Sequence, residues 1–544
     1  MKDILPENHK VSGLVDNPGA QPLRERSRNW WRKVMSLFFV SGTSLSMQKV
    51  ADLQRRACWV GIAVMLQFCN ETLRVAIQAV ESKYTSTVTL LDPASNLILV
   101  TLIGGSFLAL WMAFRPTQTK SVGTGPDRGE PYPPQGISRS EAPVRISTED
   151  QRASRKISSS WQVWICTICL ILALIGIGAC AVSIVRCFMP MQFANDGTVL
   201  DTKAAVALLH GDDPYAKPKL SDLNLMNDVS LHAEWTTPLR NGRFAGELEY
   251  PTNDDLEAAL LSGLKTTYAQ EFETKVSYPA LSFISLIPFA FFNHFNVLPL
   301  YILCHLLLIF VAWRYARPEL RPWILLLAFA NVSTWTATVG ETLDMLYISL
   351  LTLAWLLSHR RGFSIILLGL AIASKQTAWF FVPFYVMMVY WQYGFKEALG
   401  RVLAAFAIGL AINLPFILWG PSDWLAGVMA PLADPMFPMG TGLIALSTGH
   451  VIPFLSTQIY QILEFAAYGL SIVYYWFRCR YAPEAAMLLA VLFLFFAWRS
   501  LPSYFYCSAF PLLVLMLKKP ISSQSGSSQQ NATLDERALS VNSL

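Results

Sequence analysis

The stretch from Asn195 to Tyr215, NDGTVLDTKAAVALLHGDDPY, places two carboxylates, Asp196 and Asp201, just beyond an apolar run ending at Val185. A carboxylate at the mouth of a membrane helix can take the proton of a hydroxyl at the membrane surface. A well-placed general base of this kind is worth roughly 10²–10⁴-fold in rate. Further along, Gly340-Glu341-x-x-Asp344, Ser374-Lys375-Gln376 and Trp498-Arg499-Ser500 set acids and cations at the ends of other apolar runs. Charged groups at membrane depth are costly and are usually paired or functional. Lys375 and Arg499 have the chemistry to hold a lipid phosphate and to stabilise its charge as it departs. Transfer of a sugar from a polyprenyl phosphate needs both parts, a base and a phosphate clamp.

Each of these residues also has a plainer use. Asp196 or Asp201 could cap the helix that reads TKAAVALL, and Asp201 is the better placed for it, which favours Asp196 as the base. Asp344 could pair with Lys375 only to make burial tolerable, and Lys375 and Arg499 could reach the headgroups as anchors. Asp212-Asp213, followed by Pro214-Tyr215, reads as a turn, because adjacent carboxylates point apart and no further ligand is spaced to complete a metal shell. Cys166-x-x-Cys169 lies in an apolar helix without partner ligands, where free cysteine behaves as a small hydrophobe. No metal or other cofactor is expected, and a lipid-linked sugar would be a substrate.

The elements that must position these groups follow from hydropathy. The chain has 544 residues, 53% apolar and 15% charged, with a mean hydropathy of +0.39, which places it among membrane proteins. Charge-free runs at 93–114, 157–185, 322–340, 402–422, 485–498 and 500–517 predict an all-α polytopic bundle of about a dozen helices, since lipid tolerates no unpaired backbone. The expected organisation is a cytoplasmic segment 1–55, a transmembrane hairpin 56–114, a disordered cytoplasmic linker 115–160, a transmembrane core 161–520 and a disordered tail 521–544. Within the core, a large extracytoplasmic loop, 188–277, follows the third span. In that loop 253–273 fits one amphipathic helix with Leu256, Leu260 and Leu264 on one face.

Charge sets the orientation. Although the net charge is +5, residues 195–277 hold fourteen acids against seven Lys and Arg, and the remainder is basic. This is not the clustered basic face of a nucleic-acid binder. It fits the positive-inside rule, with both termini cytoplasmic in a multi-pass cell-membrane protein and the acidic loop outside. The runs 278–293 and 297–313 would put Arg314, Arg317 and Arg321 outside if both crossed. Tyr278-Pro279 and Pro288 favour one crossing plus a re-entrant half. Asp196, Asp344, Lys375 and Arg499 then converge at the outer surface.

The same residues carry a resemblance. Asp196, Ala204-Ala205, Leu208-Leu209, Gly211, Asp213-Pro214-Tyr215, Tyr278-Pro279-Ala280-Leu281, Gly340-Glu341-x-x-Asp344, Ala373-Ser374-Lys375-Gln376 and Phe496-Ala497-Trp498-Arg499-Ser500 occur in an order and spacing that resembles the GT-C superfamily of membrane glycosyltransferases, in particular the glycosyltransferase 87 family. The likeness covers roughly 161–520. It implies inverting transfer of a hexose, mannose first, from a polyprenyl-phosphate donor to a lipid or glycan acceptor. By the likeness Asp196 would be the base, with Asp201 its competitor; Lys375, Arg499, Asp344, Glu341, Tyr215 and Tyr278 are the expected substrate-binding residues. The family commonly has Gln where this chain has Glu341, and the WWDYG motif of oligosaccharyltransferases is absent. The rival readings are a transporter or lipid flippase, for which no internal repeat is visible, and a non-catalytic member of the family.

Overall fold

The computed structural model describes residues 23–39, 45–81, 92–115, 160–189, 195–216, 237–263, 270–292 and 296–519. The expected linker (all but its two ends), the expected tail and parts of the acidic loop lie outside the described residues. The fold is mostly helical. Among the described residues five helices are long and apolar enough to cross a membrane: Met47–Ile77, Pro93–Phe114, Ser160–Arg186, Leu298–Tyr315 and Phe395–Trp419. A bent pair, Pro318–Ala330 and Val332–Val339, makes a sixth if it is one broken span. Faces of these helices present apolar side chains with nothing over them, for example Ile171 and Leu174 on one and Leu414 and Leu418 on another. That arrangement suits a lipid solvent.

The long helices fall short of the expected dozen for a physical reason. Asp344–Leu356, Arg361–Ser374 and Ser503–Met516 have only 13, 14 and 14 residues, or about 20 Å of rise against a hydrocarbon core of about 30 Å. The run 322–340 is broken at Asn331, whose ψ of 66° leaves the helical region and bends the pair by 52°. At the break the side chains of Asn331 and Thr334 both donate to the Tyr506 carbonyl, Nδ2 at 3.3 Å and Oγ1 at 3.1 Å.

Association inside lipid relies on close packing rather than on water exclusion. Gly176 shows how close: a Cβ there would lie 1.8 Å from the Phe329 carbonyl oxygen. The irregular stretch before Leu298–Tyr315 consists of two short helices, Leu281–Ile284 and Ile287–Phe291, too short to cross.

The bundle has two chemically distinct ends. At one, the Ala316 and Lys518 backbones pair, Lys519 N donates to the Tyr315 carbonyl at 3.0 Å, and Arg401 Nη1 donates to the Ser358 carbonyl at 2.5 Å. The Tyr315 and His359 rings lie 6.1 Å apart, so the segments bearing Arg314–Arg321, His359–Arg361, Arg401 and Lys518-Lys519 share an end. At the other end Asn296 Nδ2 donates to the carbonyls of Arg186 and Met189 at 2.7 and 3.1 Å, and the described parts of the acidic loop gather there. The amphipathic helix expected over 253–273 is shorter than its pattern. It runs Asn253–Gly263, and Phe272 instead pairs in extended conformation with Pro238.

Candidate functional site

The helix Asp196–His210 carries the acidic stretch. Its cap is Asn195, whose Oδ1 accepts from Thr198 N at 2.9 Å, so neither Asp196 nor Asp201, the two weighed for that role, is the cap. Asn195 is as good a cap as Asp and lies directly before the helical residues. The same Asn195 donates through Nδ2 to the Gly340 carbonyl at 2.6 Å, and Thr198 Oγ1 donates to the Glu341 carbonyl at 2.6 Å. The first turn is thereby tied to the Gly340–Glu341 corner.

The two candidate bases part company here. Asp196, in the first turn, is half-buried. Its Oδ1 accepts from Gly197 N at 2.9 Å and its Oδ2 from the Thr237 hydroxyl at 2.5 Å. Asp201 is 1% exposed and accepts from the Ser282 hydroxyl at 2.8 Å. Burial pushes its carboxyl up to about 7, with Ser282 and Lys375 opposing, so at neutral pH it keeps much of its proton. Asp196 can meet an arriving hydroxyl; Asp201 is sealed beneath it. Tyr278 packs over the same turn, since a Cβ on Gly197 would stand 3.3 Å from its ring.

The two candidate cations differ as sharply. Lys375, 7% exposed, donates from Nζ to Asp344 Oδ1 at 2.5 Å and sits 5.3, 5.6 and 5.9 Å from the ring centroids of Tyr278, Tyr347 and Tyr504. Its charge is already matched. Arg499 rests its two terminal nitrogens on the thioethers of Met436 and Met439, and its Nε is buried without a hydrogen-bond partner. Among the described residues it pairs with no carboxylate. Its backbone is held because Met439–Gly440 runs parallel to Arg499–Ser500. That pairing needs Gly440, whose φ of 134° and closeness to the Ser500 backbone leave no room for a side chain.

The remaining expected residues have distinct places. Tyr215 is 1% exposed, packs on Phe283 and Phe416 and donates its hydroxyl to the Tyr278 carbonyl at 2.9 Å. It positions Tyr278 and has no open face for substrate. Gln376 Nε2 donates to the carbonyls of Ser277 and Val428 at 2.5 and 2.7 Å, clasping the loop to the helix Pro421–Ala433. Glu341 is 3% exposed with φ of 56°, a conformation that costs a non-glycine residue about 1 kcal/mol or more. One of its carboxylate oxygens has no hydrogen-bond partner. Asp212 and Asp213 form a turn in which Asp213 Oδ1 accepts from Tyr215 N at 2.9 Å.

Thr237, Ser282, Met436 and Met439 complete the site, and no local signal in the sequence marks them. They reach it only through tertiary pairing, as when Leu239 bridges to Met436 and so ties the segment bearing Thr237 to the one supporting Arg499. Through that bridge the segment whose Thr237 holds Asp196 lies beside the one whose Met436 supports Arg499. An acid and a cation so arranged can take a proton at one point and hold an anion at another. No family model, curated protein or solved structure matches the chain.

Proposed function

We propose that the protein is an integral-membrane glycosyltransferase that moves a hexose, mannose first, from a polyprenyl-phosphate donor to an acceptor hydroxyl. The observations that carry the reading are a half-buried Asp196 held by Thr237 and, separately, an Arg499 that meets thioethers rather than carboxylates. The acceptor oxygen attacks the anomeric carbon from the face opposite the phosphate, and its proton passes to Asp196. The bond from the anomeric carbon to the phosphate oxygen breaks, its electron pair leaves with the lipid phosphate, and Arg499 stabilises the developing charge. The product is inverted.

In this reading the chain lies in the cell membrane with its basic end cytoplasmic and the loop 188–277 outside. The expected dozen spans then include short helices such as Asp344–Leu356, Arg361–Ser374 and Ser503–Met516, crossing in the shelter of the longer ones. Shielded spans need not match the bilayer thickness, because protein rather than lipid surrounds their ends.

The test is donor turnover by the full chain in lipid nanodiscs, offered radiolabelled polyprenyl-phosphate mannose, glucose and pentose with a membrane-lipid extract as acceptor. Wild type and Asp201→Asn should transfer label and Asp196→Asn should not. Absence of transfer from every donor by folded wild-type protein removes the proposal.

A further inference from the structure

The basic end of the bundle holds cations that the fold packs without neutralising. Among the described residues Arg314, Arg317, Arg321 and Lys518 form no ion pair with a carboxylate. Orientation by charge alone would leave such side chains in water. Here Arg317, Arg321 and Lys518 are half-buried, and the Arg321 guanidinium lies 4.5 Å from the centroid of the Trp313 ring, a contact that keeps its charge intact. Burial lowers Lys518 to about 8. Burial, followed by the charges of Lys518 and Arg360, lowers His359, as expected beside positive charge without a counter-ion. Glu397 is engaged by Arg361 and Arg401, and the exposed Glu319 pairs with none of these cations.

Backbone pairing gathers the cations at one corner. Ala316 and Lys518 bridge, Arg317 N donates to the Leu517 carbonyl at 3.4 Å, and the short turn Pro318–Leu320 leads from Arg317 to Arg321. Only the Nε of each arginine is enclosed without a partner. Their terminal nitrogens are neither enclosed nor bonded, so they can reach a ligand.

The helices beneath the corner indicate what that ligand is. On Leu298–Tyr315 the exposed Leu303, Leu307 and Phe310 recur at i, i+4 and i+7, and the exposed Arg314 continues the same face. Leu325 is exposed one turn in from Arg321. Each apolar stripe therefore ends in an arginine, matching an acyl chain that ends in an anionic headgroup. Beside the corner, Trp323 Nε1 donates to the Phe38 carbonyl at 2.9 Å and pins the end of the helix Leu23–Phe38. That helix leaves Trp30 and Leu37 exposed together with Arg32 and Lys33, the mixture of a helix lying on an anionic leaflet.

We infer that this corner binds an anionic phospholipid of the adjoining leaflet, with the headgroup phosphate held by Arg317, Arg321 and Lys518 and an acyl chain along Leu303, Leu307 and Phe310. A phosphomonoester headgroup, which carries more than one charge, suits three cations best.

Native mass spectrometry of the full chain in mild detergent tests this, with phosphatidate, phosphatidylglycerol and phosphatidylcholine of one acyl composition as probes and inorganic phosphate as the headgroup-only arm. Phosphatidate should be retained at a concentration at least tenfold below phosphatidylcholine, phosphatidylglycerol should fall between them, and inorganic phosphate should not be retained in that range. Arg317→Gln and Arg321→Gln should each weaken phosphatidate by about fivefold, the worth of one basic side chain at an anionic surface, and Arg321→Lys should keep most of the binding. Lys396→Gln, which removes an exposed cation at the same end, should change nothing. Unfolding midpoints in phosphatidylcholine nanodiscs confirm that the variants fold, and Lys518→Gln, on a separate segment, decides if neither arginine variant does.

Equal retention of the three lipids overturns the site. Inorganic phosphate held as tightly as phosphatidate would make the corner an ion site with no use for the apolar stripes. A loss in Lys396→Gln equal to that in the arginine variants would reduce the effect to diffuse surface charge.

Discussion

Lys375 and Arg499 are both cations at the ends of apolar runs, and the fold treats them in opposite ways. Lys375 is sealed against Asp344 in a cage of tyrosine rings, so its charge is spent on the protein itself. Arg499 is held in place by backbone pairing and by soft sulfur atoms, which fix a guanidinium without neutralising it. The two aspartates of the acidic stretch repeat the contrast, Asp201 sealed under Ser282 and Asp196 open beside Thr237. One layer is closed and supports the fold, and the layer above it is open and available to a ligand. Charge at membrane depth is therefore not one signal but two, told apart only by whether a partner has already claimed it.

The sharpest way to break this division is at the aspartates. Asp196→Asn is expected to cut sugar transfer by roughly 10²–10⁴-fold, the value of a positioned base, with an unchanged unfolding midpoint. Asp201→Asn should retain most of the activity. Equal losses in both variants would mean the layers are not distinct.

At the closed cation pair the expected effect is on stability. Asp344→Asn leaves Lys375 buried and unpaired, which should cost about 3–5 kcal/mol, read as a large drop in the unfolding midpoint in lipid. Replacing both partners, Asp344→Leu with Lys375→Met, should recover much of the loss because no lone charge remains. A double variant as unstable as the single one would show that Lys375 has work beyond the pair.

Arg499→Gln belongs to the open layer and should leave the unfolding midpoint in place. The loss of a charge-assisted contact of about 1.5–3 kcal/mol predicts a rise of about tenfold or more in the KM for the polyprenyl-phosphate donor. A fall in stability with unchanged KM would move Arg499 into the closed layer.

Much of this architecture is legible in the chain, and the parts that are not have physical reasons. Hydropathy finds Pro93–Phe114 and Ser160–Arg186 within a few residues, because an uninterrupted apolar run has no other stable use. Pro279 and Pro288 flag the irregular stretch before Leu298 for the same local reason. The helix Thr457–Arg478 is different. Its 22 residues are diluted by Gln458, Gln461, Glu464 and several tyrosines, so the apolar Ile462, Phe465 and Leu470, which face outward, do not form a run. The break at Asn331 is also silent, since the carbonyl that its side chain meets belongs to Tyr506, far along the chain. In the site, the acids and cations stand out by type, whereas the state of each depends on partners such as Ser282, Thr237 and Met436 that only the fold brings near. Composition names the charged residues; tertiary contacts decide which of them remain open.

The smallest effect tests the closed layer by proton linkage. Burial pushes Asp201 up to about 7, and burial together with the facing Asp434 carboxyl pushes Glu273 up to about 8. In the unfolded chain both release their protons near the ordinary carboxylate range of about 4. Below that range both states are protonated and neither group affects stability. Between about pH 4 and pH 7–8 the folded state retains protons that the unfolded state has lost, so stability falls as pH rises, and above pH 8 the decline levels off. The unfolding midpoint of wild type in lipid should therefore decrease from pH 5 to pH 8. Asp201→Asn and Glu273→Gln, which cannot ionise, should each flatten part of that slope, and the double variant more than either. A wild-type midpoint that is flat or rising across this range would mean both carboxyls ionise freely. Asp201 would then be as open as Asp196, and the distinction between the layers would fail at the aspartates while still standing at the cations.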